Sequence, residues 1–223
     1  MNKIKALPII CAYLILSISV ILCFILCWSI YLYLPPNDFR AIITTCVGIP
    51  FYFLCGLIVF RMFFIFFPIK AGEIRADSRE DFLSNIHICY LLVLFDPIFK
   101  NPLLPVFVTT PLYQLLGAKI GKNTYSNGVI LDPYFVTVGN NTILGMECLL
   151  IPHALEGSRL AYYPIKIGDN VTIGTRAIIH AGVTIENGAI VGSGAVVTKN
   201  KHIGENEIWG GVPAKYIKKR DEV

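Results

Sequence analysis

Charge is what this sequence has least of. Only 15% of its 223 residues are Asp, Glu, Lys or Arg, where a soluble domain carries about a quarter. None of them lies between Ala6 and Leu34. The shortage excludes a chain that is water-soluble throughout, and a mean hydropathy of +0.63 agrees. The seven cysteines contain no Cys-x-x-Cys pair, and Cys11, Cys23, Cys27, Cys46 and Cys55 fall in the apolar N-terminal part, with Cys89 and Cys148 isolated from one another. This leaves no basis for a cysteine zinc site or a disulfide framework, and the cysteines read as small apolar side chains. Basic clusters are scarce too. Beyond the tail residues Lys215, Lys218, Lys219 and Arg220 there is no cationic stripe, so no nucleic-acid partner is expected.

The uncharged stretch is far longer than the roughly 20 apolar residues needed to cross hydrocarbon. It reads as a membrane helix over about 7–34. A break at Pro35-Pro36-Asn37-Asp38-Phe39-Arg40 is followed by a second apolar run over about 41–60, bounded by Arg61 and the aromatic string Met62 to Phe67, with Pro50 a point of kinking. A cleaved signal peptide is the alternative for the first run, but no small-x-small site ends it. The two runs make a transmembrane hairpin, residues 1–69. Lys3 and Lys5 precede it, only Arg40 lies between the helices, and Arg61, Lys70, Arg75 and Arg79 come after the second. That distribution places both termini and everything C-terminal on the cytoplasmic face of the membrane. Within residues 70–116 the apolar stretch Ile86 to Phe95 is too short to span. Pro97, Pro102, Pro105 and Pro111 interrupt the remainder of the segment, so interfacial linker helices are expected. His87 in this segment reads as a surface or headgroup contact rather than a ligand.

From Ile167 onward an aliphatic residue returns every six positions, at Ile173, Ile179, Ile185, Val191 and Val197. Neither an amphipathic helix nor an alternating strand has this period. Three short strands per turn, each aiming one aliphatic residue inward, make a triangular coil of eighteen residues, and stacked coils bury each other's apolar rings. An earlier block is in phase at Ile120, Val138, Leu144 and Leu150, although Ser126 and Asp132 stand where aliphatic residues belong. The interval from Leu150 to Ile167 is seventeen residues, not a multiple of six, so a loop over 152–165 must leave the coil. That loop carries His153. The coil domain is expected over 117–204, followed by a C-terminal segment, 205–223.

The stretches LDPYFVTVGNNT, KIGDNVTIG, AGVTIENGAIVGSGAVVTKN and WGGVPAKYIKK resemble the hexapeptide-repeat acyltransferases, among them the maltose, galactoside and xenobiotic O-acetyltransferases. The membrane hairpin before LLGAKIGKNT, with PHALEGSR as the loop, is similar to the membrane-embedded terminal region of poly-lysine-type peptide synthetases. The resemblance implies a left-handed parallel β-helix, a homotrimer with active sites in the clefts between subunits, acetyl-CoA or another acyl-CoA as donor, and no metal. It matches His153 to a loop histidine acting as general base, a task suited to imidazole at neutral pH. It matches Thr175, Ser193, Thr198 and Lys199 to the CoA groove, and Lys215 and Lys218 to contacts with the nucleotide phosphates. Glu156, three residues after His153, is the candidate to orient the imidazole, with a solvated loop carboxylate as the alternative. Arg159 reads as a surface partner, and His180 as a cleft or surface side chain.

The preferred reading is therefore an integral-membrane acyltransferase acting on a hydroxyl or amine of a lipid-linked sugar or another membrane-associated acceptor. A non-catalytic trimeric membrane scaffold is the alternative. A γ-carbonic-anhydrase-like metalloenzyme shares the fold but needs three histidines, and His153, His180 and His202 succeed one another at intervals of 27 and 22 residues, unlike that site.

Overall fold

A computed structural model of the chain describes residues 6–37, 39–99, 105–157 and 159–220. Lys3 and Lys5, which bear on orientation, lie outside the described residues, as do Asp38, Pro102 and Ser158. The chain divides into two compact units, one containing residues 3–69 with 81–97, the other 70–80 with 98–223. The single linker expected over 70–116 is thus split, because its ends make strands and helices that belong with the repeat.

In the first unit, α1 (Ala6–Tyr33) and α2 (Arg40–Phe66) are the two expected helices. α2 passes through Pro50 without a break and continues past Arg61 to Phe66. A third helical run departs from the expected short interfacial helices. α3 (Arg79–Tyr90) continues through a π turn at Leu91–Phe95 into α4 (Asp96–Phe99). The wide turn lies just before Pro97, whose ring would clash with the carbonyl four residues back in a straight α-helix. All three runs, of 28, 27 and 21 residues, are long and apolar enough to cross a membrane. Where they meet, the Ser19 hydroxyl lies 3.0 Å from the Tyr90 hydroxyl, which donates to Gly56 O at 2.8 Å. At Gly56 a Cβ would stand 2.2 Å from Leu94 Cδ2, so a larger residue there would have to push the Leu94 side chain aside. His87 is not on the surface: it is buried against the rings of Phe60 and Phe64.

The second unit is a parallel β-helix. Its first face stacks Lys119–Ile120, Val136–Val138, Ile165–Ile167, Thr184–Ile185 and His202–Ile203. The second stacks Tyr125–Ser126, Ile143–Leu144, Thr172–Ile173, Ile190–Val191 and Glu207–Gly210. The third stacks Val129–Ile130, Leu149–Leu150, Ile178–Ile179 and Val196–Val197. The second residue of each short repeat strand points inward, and Leu150, Ile173, Ile179, Val191 and Val197 are wholly buried. Asparagine and glycine take the left-handed turn positions between strands, among them Asn141, Asn170, Asn200 and Gly188. These residues occupy that region at least cost.

The first coil has no neighbour on its outer side and is closed instead by α5 (Val106–Leu115), in which Tyr113 is buried and stacked on Phe99 at 4.2 Å. The Tyr113 hydroxyl donates to Gly128 O and accepts from the Ile130 amide, and the Thr109 hydroxyl donates to Ser126 O. At the other end the coil runs beyond residue 204, through Glu207–Gly210, and folds back as the antiparallel strand Lys215–Lys219. The phase break has a simple form. Val138 pairs with Ile167 and Ile167 with Ile185, so eleven residues beyond the eighteen-residue turn are extruded. They form a hairpin, His153–Glu156 against Arg159–Tyr162, rather than an irregular loop, and Gly72–Ile74 adds to it as a third antiparallel strand.

Candidate active site

The strands of the third face lead into a corner where successive coils stack: Leu131 on Leu150, Ile151 on Ile179 and His180 on Val197, each through its amide to the carbonyl one turn on. This corner therefore collects Asp132, His153, His180, Thr198 and Lys199 from four turns of the chain. Asp132 adopts the left-handed conformation at φ 47° and starts the short 3-10 turn Pro133–Phe135. It is buried, and a buried carboxylate costs several kcal/mol unless it is paired. Its partner is His153, whose Nδ1 lies 2.5 Å from Asp132 Oδ2. The carboxylate accepts, so Nδ1 carries the hydrogen and Nε2 of the neutral ring is left with its lone pair. About a third of the imidazole side chain remains exposed. The hydrogen bond that His153 donates to the Asp132 carboxylate raises the His153 pKa above its ordinary 6.5, opposed by burial.

Tyr162 stands opposite His153 in the hairpin register, its ring edge-on to the imidazole with centroids 6.4 Å apart. It is wholly buried and stacks on Phe135 at 4.5 Å. Burial, and then the charge of Asp132, pushes its phenol pKa up, so the hydroxyl keeps its proton.

Glu156 does not orient His153. Residues three apart on a strand project to opposite faces, and Glu156 instead accepts from Lys199 Nζ at 2.7 Å. Lys199 also lies 4.7 Å from the centre of the Tyr163 ring. The candidate donor contacts fall into three places. Thr198 and Lys199 share the corner with His153. Thr175 and Ser193 stack on the corner at the other edge of the third face, where Gly194 N–H donates to Thr175 O. Lys215 and Lys218 are exposed on the last strand. His202 is on the first face, 3.9 Å from Glu186. Among the described residues no three His, Cys, Asp or Glu side chains group as metal ligands. Sequence reasoning misses Asp132 and Tyr162 as site residues. Asp132 does carry a signal, an acid at an in-phase aliphatic position; Tyr162 carries none.

Residues 164–199 match the hexapeptide repeat of succinyl-transferase. Galactoside O-acetyltransferase of Escherichia coli (strain K12) is 36% identical over 123 residues, covering 50% of this chain and 60% of that protein. Mitochondrial gamma carbonic anhydrase 2 of Arabidopsis thaliana is 32% identical over 174 residues, covering 67% of this chain and 60% of that protein. A solved galactoside acetyltransferase in complex with coenzyme A aligns at 34% identity over 46% of this chain and 55% of that one, with a TM-score of 0.42. The chain thus spans about 60% of the length of the two curated relatives. Through the repeat over 164–199 and the coils built on it, the chain is similar to the hexapeptide-repeat proteins, with galactoside O-acetyltransferase matching over half of its length.

Proposed function

We propose that this chain is an acyl-CoA-dependent acyltransferase, moving an acetyl or other short acyl group to a hydroxyl or amine, with His153 as general base. The observation that carries the reading is the Asp132–His153 pair, partly exposed at the corner where the extruded hairpin leaves the coil. Nε2 takes the proton from the acceptor as its oxygen or nitrogen attacks the thioester carbonyl. The tetrahedral intermediate then expels the CoA thiolate, which recovers the proton from the imidazolium, while Asp132 stabilises the charged ring in between. No metal is needed for these steps. The acetyl donor is proposed from the likeness to galactoside O-acetyltransferase. Thr175, Ser193, Thr198 and Lys199 are proposed to line the donor groove, with Lys215 and Lys218 meeting its phosphates.

The acceptor is proposed to be membrane-associated, a lipid-linked sugar being the favoured class, because apolar helices long enough to span share the chain with the β-helix. The β-helix unit is proposed to lie at the cytoplasmic face, where CoA thioesters are found, a reading supported by Arg61, Lys70, Arg75 and Arg79 after the second apolar run. A homotrimer is proposed on the outward residues of the third face, Val129, Leu149, Ile178 and Val196, which are all aliphatic and partly exposed in the single chain.

The test is turnover of acetyl-CoA by the detergent-solubilised full chain, with lipids and glycans from cells with and without it compared for one missing acyl mass. His153→Ala is expected to lower turnover by about 10²- to 10⁴-fold while CoA still binds. Full turnover in that variant overturns the assignment, and a retained biological effect without turnover supports the scaffold reading.

A further inference from the structure

We infer that Tyr162 is a positioning residue of the Asp132–His153 pair: its ring, clamped on Phe135, is the wall that holds the imidazole in line with the carboxylate. This rests on the proposed site but not on its activity. Two segments meet here, and a hydrogen bond and a ring stack are among the contacts that join them. One segment, 132–135, supplies Asp132 and Phe135; the other, the hairpin, supplies His153 and Tyr162 from directly opposed positions. Asp132 meets His153 through a hydrogen bond, and Phe135 meets Tyr162 through a stack with the rings within 13° of parallel. A displacement that opened one contact would have to break the other. The hydrogen bond alone leaves the imidazole free to swing about its own side-chain torsions, and the Tyr162 ring, at 83° to it, closes off that movement.

The wall is itself immobile. Tyr162 is wholly buried, and its strand is flanked on one side by His153–Glu156 and on the other by Gly72–Ile74, with Gly72 opposite Tyr162. The charged groups around His153 are few. Asp132 faces it, Glu156 is engaged with Lys199, Arg159 stands opposite Glu156, Glu73 is on the outer strand opposite Ala161, and His180 lies on the next coil. Loss of the wall therefore acts on His153 through Asp132.

The experiment is an NMR titration of ring-labelled histidines in the full chain in detergent. Only four histidines are present, and His153→Ala assigns the signal. In the wild type the His153 midpoint is expected above the ordinary imidazole value. Tyr162→Phe, which keeps the ring, is expected to leave it there. Tyr162→Ala is expected to bring it down as the aligned hydrogen bond is lost, with at least about a tenfold loss of turnover at unchanged donor KM. Phe135→Leu, a milder change, is expected to move the midpoint the same way by less. A folded Tyr162→Ala protein with the wild-type midpoint overturns the inference, and so does a Tyr162→Phe midpoint that falls as far as the alanine variant's. If Tyr162→Ala does not fold, a wild-type midpoint in Phe135→Leu overturns it. Retained turnover in His153→Ala, by contrast, sinks the base assignment and leaves the titration result standing.

Discussion

Asp132 carries the residue-level logic of the candidate site, because a single carboxyl both breaks the repeat and raises the pKa of His153, the proposed base. With its pKa raised by that carboxyl, His153 is protonated over more of the acid range than a free imidazole. A general base works only when deprotonated, so with His153 in the proposed role turnover is expected to fall as pH drops through the raised value. The stabilisation from the pair has the opposite course: it is fully present below the unfolded imidazole value of 6.5 and fades as pH rises through the folded value. Asp132→Asn removes the charge while keeping the shape. It is expected to shift the acid limb of the kcat profile downward, since burial then acts alone, and to lower turnover at pH 7.5 by about 100-fold or more. An unchanged limb would mean that Asp132 is only a structural partner. Much of this is legible in the sequence: the phase break points to His153, and Asp132 stands out as an acid among aliphatic residues. Glu156 is the more obvious partner on sequence alone because nearness along the chain suggests a pairing that strand geometry forbids. Joining Asp132 to His153 requires knowing that one corner of the coil collects residues 21 apart.

At the scale of elements, the six-residue period marks the strands, but two elements escape it. Gly72–Ile74 has no periodicity of its own and is a strand only because the hairpin offers an edge. The run Arg79–Phe99 escapes because its polar beginning and Pro97 hide its length. Although it is long enough to span, both of its flanks are tied to the same unit. Gly72–Ile74 pairs with Arg159–Tyr162, and Phe99 stacks on Tyr113. A crossing would put those flanks on opposite sides of about 30 Å of hydrocarbon, with only residues 75–78 between Ile74 and the helix. We therefore expect two crossings, not three. In a cysteine-free background, single cysteines at Arg75 and Phe107, both exposed, should react with a membrane-impermeant maleimide from the same side. Labelling from opposite sides would refute this.

For the whole molecule, the third face is the feature that looks beyond a single chain. The outward positions of the first face are Lys119, Thr137, Lys166, Thr184 and His202, as expected for a surface facing water. Those of the third face are Val129, Leu149, Ile178 and Val196, with Thr198 and Lys199 along one of its edges and Thr175 and Ser193 along the other. If that face packs against other copies, charges there should dissociate the assembly. Leu149→Glu with Ile178→Glu is expected to reduce the detergent-corrected mass from three copies to one and to abolish turnover, although His153 itself is unaltered. A variant that stays trimeric, or a monomer that stays active, would exclude the third face as the site-forming interface.

The contact between Glu156 and Lys199 has a meaning for the order in which the molecule is made. The hairpin is synthesised well before Lys199, and nearly two turns of coil must be stacked correctly before that amine can arrive beside it. Gly72–Ile74 waits on the other side from a much earlier moment of synthesis. The hairpin that carries His153 is thus closed from both directions only once nearly the whole β-helix exists, so a truncated or mis-stacked chain would present that histidine on an unfastened strand.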